Sequence, residues 1–205
     1  MLQTQTVSPE LLELLTKLMS EKTFADFALA GGTSLTLQIG HRNSVDIDLF
    51  GKAEIQHDVF FDVLNDFGNT EISRSTKNIF ISQVNGIKVD FVNYSRYTLL
   101  DEIRVVNGIR LFSKKDIAAM KIAAITGRGS KKDFIDLYFL LKDFSLREIL
   151  DFYNQKYHDG SEFMALKSLG YFDDANTQLQ PQMFKDFDWE ECKRYILEET
   201  KKLSF

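Results

Sequence analysis

Residues 31–50 read GGTSLTLQIGHRNSVDIDLF, and this stretch decides the fold prediction. It opens with two glycines and two hydroxyl side chains, and it closes with two aspartates one residue apart. The preceding residues 27–30 form a short apolar run that favours a buried strand, and residues 33–39 predict a helix. Residues 45–50 alternate apolar and acidic side chains, which is typical of a half-buried strand. The stretch is therefore predicted to run strand, glycine turn, helix, strand.

The aspartates in this stretch predict a cation site. Asp46 and Asp48 point to the same face of their strand because the side-chain period of a strand is two. Asp90, in the sequence IKVDFV, shares its strand face with Lys88, which could also be an ordinary surface ion pair. Carboxylates this close repel unless a cation neutralises them, and Mg²⁺ often uses carboxylates together with substrate phosphates. Asp46, Asp48 and Asp90 are therefore candidate ligands of a metal site that supports in-line displacement at phosphorus.

The glycine turn predicts a phosphate site next to these acids. Gly31 and Gly32 allow a close approach of the backbone to an anion, and the helix N-terminus supplies N–H groups and a positive dipole. Thr33 or Ser34 would add a hydroxyl, and Arg42 is a candidate contact to phosphate or base. A phosphate cradle beside metal carboxylates is what a nucleoside triphosphate needs.

Each feature taken alone is more often structural, and two competing motifs fit poorly. An EF-hand loop starting at the first aspartate would need Asp or Asn at 50 and Glu at 57, where the chain has Phe50 and His57. A Walker A loop needs Gly-Lys-Ser/Thr, but Gly32 is followed by threonine and serine. The prediction is specific because the glycine turn and the aspartates occur together, in this order and at this spacing.

The rest of the chain predicts an α+β fold. Asn-Gly pairs at 85–86 and 107–108 separate short β-like runs and predict two-residue hairpins. Residues 1–112 are therefore predicted to form a mixed sheet with flanking helices. The sequence SKKD from Ser113 resembles a capping box, and the pattern over 113–205 predicts helices only, with breaks near 127–130, 145, 158–160 and 173–181.

Composition limits the class of protein. The chain has 205 residues, a net charge of −5 and one cysteine, Cys192, which fits a reducing compartment. The N-terminus lacks a signal-peptide pattern, and no apolar run approaches the ~18 residues of a membrane span. We therefore expect a cytoplasmic protein. Its mild acidity argues against a broad surface that coats nucleic acid.

The order Gly-Gly, spacer, Asp46-Ile47-Asp48 resembles the signature of polymerase-β-like nucleotidyltransferases, and the fuller stretch is similar to the AbiEii/AbiGii toxin family. The sequence IKVDFV resembles the family's strand with the third acid, at Asp90. Residues 116–141, DIAAMKIAAITGRGSKKDFIDLYFLL, resemble the family's helical motif. The resemblance implies a polymerase-β-like core at 1–112 and a helical region at 113–205 that completes the active site.

In the helical motif the resemblance implies a catalytic lysine, Lys121, with Asp133 or Asp136 as its acid. Spacing alone does not choose between the two acids. A lysine in the nearly apolar run AAMKIAAI is costly to bury unless it meets an anion, although it could also extend to solvent.

The resemblance also implies an activity. It is Mg²⁺-dependent transfer of a nucleotide from an NTP to an acceptor hydroxyl, with the 3′ end of tRNA favoured. The role implied is a toxin of a type IV toxin–antitoxin or abortive-infection system, with a cognate antitoxin as partner. A small molecule such as an antibiotic, or a protein, is the alternative acceptor. A non-catalytic binding protein that keeps the fold is a further alternative, which the three intact aspartates disfavour.

Overall fold

The structure is a computed structural model that describes residues 1–203. It divides into two compact units. One comprises residues 1–98 and 102–112, and the other comprises residues 99–101 and the chain from residue 113 onward. The first contains the whole sheet, and the second is built from helices.

The sheet unit has seven strands in the order β3-β4-β5-β2-β1-β7-β6. The strands are β1 Phe27–Leu29, β2 Asp46–Gly51, β3 Thr70–Thr76, β4 Ile79–Val84, β5 Ile87–Asn93, β6 Arg104–Val106 and β7 Ile109–Leu111. Its helices are α1 Pro9–Ser20, α2 Gly31–Ile39 and α3 His57–Phe67. Strand β2 runs parallel to β5, and β1 runs parallel to β7, whereas the other neighbours are antiparallel. The sheet is therefore mixed, as predicted.

The two Asn-Gly pairs form the predicted hairpins. Asn85 and Gly86 have φ of 50° and 81° between β4 and β5, and Asn107 and Gly108 have φ of 51° and 79° between β6 and β7. Positive φ at both central residues is the requirement of this turn, which matches the right-handed twist of the strands it joins.

The core of the sheet unit lies on one face of the sheet. The apolar residues of β2 and β5 alternate inward and pack with α1, α3 and a group of aromatic rings. These rings meet largely edge to face, with Phe24 and Phe60 centroids 5.0 Å apart. Helix α1 begins after Ser8, whose side chain accepts a hydrogen bond from the Leu11 N–H. The face of β2 and β5 that carries the acids is the opposite one.

The second unit contains six helices within its described residues. They are α4 Lys114–Gly127, α5 Lys131–Leu140, α6 Leu146–Lys156, α7 Glu162–Leu169, α8 Asp173–Asn176 and α9 Trp189–Lys201. Ser113 caps α4 by accepting from the Asp116 N–H, and Ser145 with Glu148 forms a capping box at α6. The α+β fold class is confirmed, with a mixed sheet followed by helices. None of the helices in residues 1–203 has the length and apolar composition that crossing a membrane requires.

A fully buried ion pair joins α4 to α6. Lys156 Nζ lies 2.7 Å from Asp116 Oδ1, and both side chains have 0% exposure. The same carboxylate accepts from the Ser113 hydroxyl and from the N–H groups of Leu100 and Asp101. Asp116 therefore ties the start of α4 and the segment before it to α6.

We expect Lys156→Met to lower the free energy of unfolding by about 3 kcal/mol, because it leaves the Asp116 carboxylate buried without its counter-charge. Urea unfolding followed by helical circular dichroism measures this. Lys114→Met is the matched control: it breaks an ion pair with Asp143 in which the side chains are 34% and 39% exposed, so its cost should stay below about 1 kcal/mol. Equal costs for the two variants would contradict the structural role of the buried pair.

Candidate active site

The pairing of β2 with β5 brings the three candidate metal ligands to one face. The register is parallel, with Asp48 opposite Asp90 and Asp46 opposite Lys88. Residues directly opposite on neighbouring strands lie about 4.8 Å apart and point the same way. Between the acids, Ile47 and Val89 are buried in the core. The structure therefore places Asp46, Asp48 and Asp90 together.

The glycine turn touches this group of acids. The Ala30 N–H donates to the Asp48 carbonyl at 2.9 Å, and α2 begins at the next residue, Gly31. Gly31 has a φ of 65°, and a Cβ at this position would lie 2.4 Å from Asp48 Oδ2. Glycine is strongly favoured here, because the left-handed backbone strains a residue with a Cβ and that Cβ would displace the end of the Asp48 side chain. The N-terminal turn of α2, which also contains Gly32, thus lies directly beside a candidate metal ligand.

The hydroxyls of this turn stabilise it from within. Thr33 Oγ1 donates to the Asp46 carbonyl and lies 2.7 Å from Ser44 Oγ. Ser34 Oγ accepts from Gln38 Nε2 at 3.3 Å, and both Thr33 and Ser34 are fully buried. The Thr33 hydroxyl therefore attaches α2 to the start of the acid-bearing strand. Contact of either hydroxyl with phosphate stays a prediction.

Arg42 is also part of the framework. Its side chain is only 2% exposed, and Nη1 donates to the Asn43 carbonyl at 2.8 Å. Its own carbonyl accepts from Thr36 Oγ1 of α2. These contacts hold the loop that leads into β2, and contact of Arg42 with a nucleotide stays a prediction.

Lys88 is bound to the third acid. Its Nζ lies 2.5 Å from Asp90 Oδ2, with the side chains 42% and 14% exposed. The other oxygen of Asp90, Oδ1, is buried and has no hydrogen-bond partner among residues 1–203. The sequence predicts no more for Lys88 than a possible surface pair, although its position two residues before the third acid on a strand places both side chains on one face.

The electrostatics of the pair reflect the other two acids. Partial burial lowers the pKa of Lys88, but the hydrogen bond to Asp90 and the charges of Asp90, Asp48 and Asp46 outweigh it, so the pKa is raised. Burial raises the pKa of Asp90, and repulsion by Asp46 adds to this, so its pKa is raised although Lys88 opposes the shift. The raised pKa of Lys88 favours its charged form, whereas the raised pKa of Asp90 favours its neutral form. The short contact and a lysine attracted by three carboxylates favour the charged pair at neutral pH.

These side chains fit a divalent cation. Three carboxylates on neighbouring strands are the oxygen ligands that hard cations prefer, and the buried Asp90 Oδ1 is an acceptor in need of a positive partner. Within residues 1–203, no group of three or more His, Cys, Asp or Glu side chains is arranged so that it could hold a metal ion without rearrangement. With Asp90 Oδ2 bound to Lys88, the acids are arranged as an ion pair beside two further carboxylates.

The second unit contains the other predicted group. Lys121 Nζ lies 2.9 Å from Asp133 Oδ1 and 2.6 Å from Asp136 Oδ2, and all three side chains are at most 7% exposed. Arg128, which the sequence-based site had omitted, donates Nε to Asp133 Oδ2 at 2.9 Å, and Ser130 donates its hydroxyl to the same oxygen. The buried lysine thus meets both candidate acids. The catalytic roles of Lys121, Asp133 and Asp136 stay predictions.

This network holds Asp133 ionised. Burial raises the pKa of Asp133, but the charge of Lys121 and the hydrogen bond and charge of Arg128 outweigh burial, so the pKa lies well below the usual carboxyl range. An ionised, paired carboxylate of this kind contributes to the stability of the folded chain.

Solved structures of other proteins are similar to this chain in fold. A crystal structure of a candidate nucleotidyltransferase from H. pylori aligns with a TM-score of 0.52 and 18% identity, covering 96% of this chain and 95% of that one. The solution structure of the antibiotic-resistance factor ANT(2'')-Ia aligns with a TM-score of 0.55 and 13% identity, covering 77% of this chain and 95% of that one. At these identities the likeness shows the fold.

The family follows from sequence. The chain matches the model described as nucleotidyl transferase AbiEii toxin, type IV TA system, over residues 13–105 and 86–202. It is also 36% identical over 197 residues to the uncharacterized protein aq_aa25 of Aquifex aeolicus (strain VF5), covering 92% of this chain and 93% of that protein. The chain belongs to the AbiEii nucleotidyltransferase family, and it is a nucleotidyltransferase of a class that generally uses a divalent metal.

We expect Gly31→Ala to reduce nucleotide transfer by about 100-fold or more, because its Cβ would displace the Asp48 carboxylate. Gly86→Ala is the matched control: it has a comparable φ of 81° but nothing within 4 Å of the added Cβ. Both variants should lose about 1 kcal/mol of stability from the left-handed backbone. Only Gly31→Ala should lose activity beyond its loss of folded protein, and equal activity in the two variants would contradict the role of the close approach.

We expect Asp133→Asn to lower the free energy of unfolding by about 3 kcal/mol at pH 7, because it leaves the buried Lys121 with one carboxylate fewer. The folded pKa of Asp133 is lowered, so its contribution is complete above the unfolded pKa of about 4 and is lost as pH falls below it. The difference in unfolding free energy between wild type and variant should therefore shrink below about pH 4. Urea unfolding across pH 7 to 3 measures this, and a pH-independent difference would contradict the assignment.

Proposed function

We propose that this chain transfers a nucleotide from an NTP to an acceptor hydroxyl with Mg²⁺ bound by Asp46, Asp48 and Asp90. The observation that carries the proposal is the placement of these carboxylates on one sheet face, with Gly31 against Asp48. The bound metal would neutralise the charge that develops on the phosphate oxygens. The first turn of α2 would bind the triphosphate through its backbone N–H groups.

The transfer is a substitution at the α-phosphorus. The oxygen of the acceptor hydroxyl forms a bond to this phosphorus, the bond to the bridging oxygen of the β-phosphate breaks, and pyrophosphate leaves. The hydroxyl proton passes to a base, and the carboxylates of Asp46, Asp48 and Asp90 are the candidate acceptors on this sheet face. The turn and the acids fix the geometry that an in-line displacement needs.

We infer further that the acceptor is the 3′ end of tRNA and that the activity makes the chain the toxin of a type IV toxin–antitoxin system with a cognate antitoxin. Support comes from the family to which the chain belongs. The 3′ end of tRNA offers the hydroxyl that the substitution requires. A cytoplasmic location follows from these substrates.

Chemistry and acceptor are tested together by incubating the chain with each of the four α-labelled NTPs and total RNA, total protein or aminoglycosides. The measurement is the label transferred to each class of acceptor. We expect label on tRNA that depends on Mg²⁺ and falls by about 100-fold or more in Asp48→Asn. Asp62→Asn, an exposed aspartate on α3, is the matched control and should retain wild-type labelling. Label on protein or drug would refute the acceptor, and labelling that survives in Asp48→Asn would refute the site.

The toxin role has its own readout. Induced expression of wild type should stop growth, and Asp48→Asn should not. Growth arrest that persists in Asp48→Asn would separate toxicity from nucleotide transfer and overturn this part of the proposal.

A further inference from the structure

Lys88 occupies the position in which a cation is needed among the three acids. It is the register partner of Asp46, and it shares a strand face with Asp90, whose Oδ2 it contacts at 2.5 Å. Asp48 lies opposite Asp90 on the same face. The ammonium group therefore contacts Asp90 and lies on the same sheet face as Asp46 and Asp48.

The pair is accessible enough to open. The Lys88 side chain is 42% exposed, and it carries a flexible four-carbon stem, so the ammonium can leave Asp90 for solvent without being stranded in an apolar environment. Asp90 is only 14% exposed, so the lysine is the partner that can move. The contact is thus a reversible one, in contrast to a buried structural pair.

We infer that Lys88 is a resident counter-ion of the acid group and competes with the divalent metal for Asp90. The inference rests on the proposed function, because it assumes that these acids bind the metal. A metal ion that takes Oδ2 must displace the ammonium. A metal ion that binds Oδ1 lies close to the Lys88 ammonium, which is bound to the other oxygen of the same carboxylate. The repulsion between these two positive charges also weakens metal binding.

The lysine has an effect in the absence of metal as well. Asp46, Asp48 and Asp90 would repel each other without a cation, and Lys88 relieves that repulsion. Removal of its charge should therefore make the metal-free chain less stable and make its affinity for metal higher. A lysine that serves only to pack the surface would produce neither change.

The test is Mn²⁺ binding to the full chain, with free Mn²⁺ measured by electron paramagnetic resonance and no nucleotide present. We expect Lys88→Met to tighten Mn²⁺ binding by about threefold or more. Lys88→Arg keeps the charge and should stay within about twofold of wild type. Lys17→Met removes an exposed lysine, paired with Glu13 on α1 and away from the acid face, and should also leave the affinity unchanged.

Thermal unfolding gives a second measurement on the same variants. In EDTA, Lys88→Met should unfold at a lower temperature than wild type. The increase in its unfolding temperature on addition of Mn²⁺ should exceed the increase seen for wild type. Lys88→Arg and Lys17→Met should show the wild-type gain.

Asp48→Asn separates this inference from the proposed function. Loss of Mn²⁺ binding in Asp48→Asn with tighter binding in Lys88→Met supports both. Loss in Asp48→Asn with unchanged or weaker binding in Lys88→Met overturns the competition and leaves the metal site intact. Unchanged binding in Asp48→Asn overturns the metal site and the competition with it.

Discussion

The parallel pairing of β2 with β5 is the constraint on which the candidate site depends. A strand alternates its side chains between two faces, so the apolar residues of β2 and β5 that enter the core direct the acids to the other face. The register then sets Asp48 against Asp90. A slip of one residue would move the aspartates of the slipped strand into the core. Such a slip is strongly disfavoured, because burial of an unpaired ionised carboxylate is costly. The hydrophobic core therefore holds together, at a fixed spacing, charges that repel each other. Burial of the apolar face keeps the carboxylates close together, and a bound cation reduces the repulsion between them.

The glycine turn extends this constraint to the substrate. Gly31 follows β1, which pairs with β2, so the turn and the acid-bearing strand are joined by backbone hydrogen bonds as well as by contact. The buried hydroxyl of Thr33 adds a further connection to the start of β2. The first turn of α2 and the acid-bearing strand thus belong to one hydrogen-bonded element. This preorganisation suits phosphoryl chemistry, in which positioning and electrostatic stabilisation account for most of the catalysis.

Local patterns predicted the elements of this site well, and non-local contacts account for what they missed. The Asn-Gly hairpins depend on two residues with positive φ, and the shared face of Asp46 and Asp48 depends on the period of one strand, so both can be predicted from short segments. The neighbour relation of β2 and β5 joins segments about forty residues apart and has no local signal. Strand β3 was missed because its residues after Thr70 are exposed and carry no alternation of apolar side chains. Lys121 was predicted to need an anion, but its bonds to both Asp133 and Asp136 require the fold of α4 against α5.

Two lysine–aspartate contacts in this chain have similar geometry and opposite consequences. Lys121 is 7% exposed and is held by carboxylates that are 1% and 0% exposed, so its departure would leave charges buried without partners. Lys88 is 42% exposed beside an aspartate that is 14% exposed, so the ammonium can exchange its contact with Asp90 for water. Burial therefore decides which ion pair is permanent and which can exchange. The exposed pair includes Asp90, one of the candidate metal ligands, and under the proposed function an exchangeable ammonium there would let the acids stay charged both before a metal binds and after it.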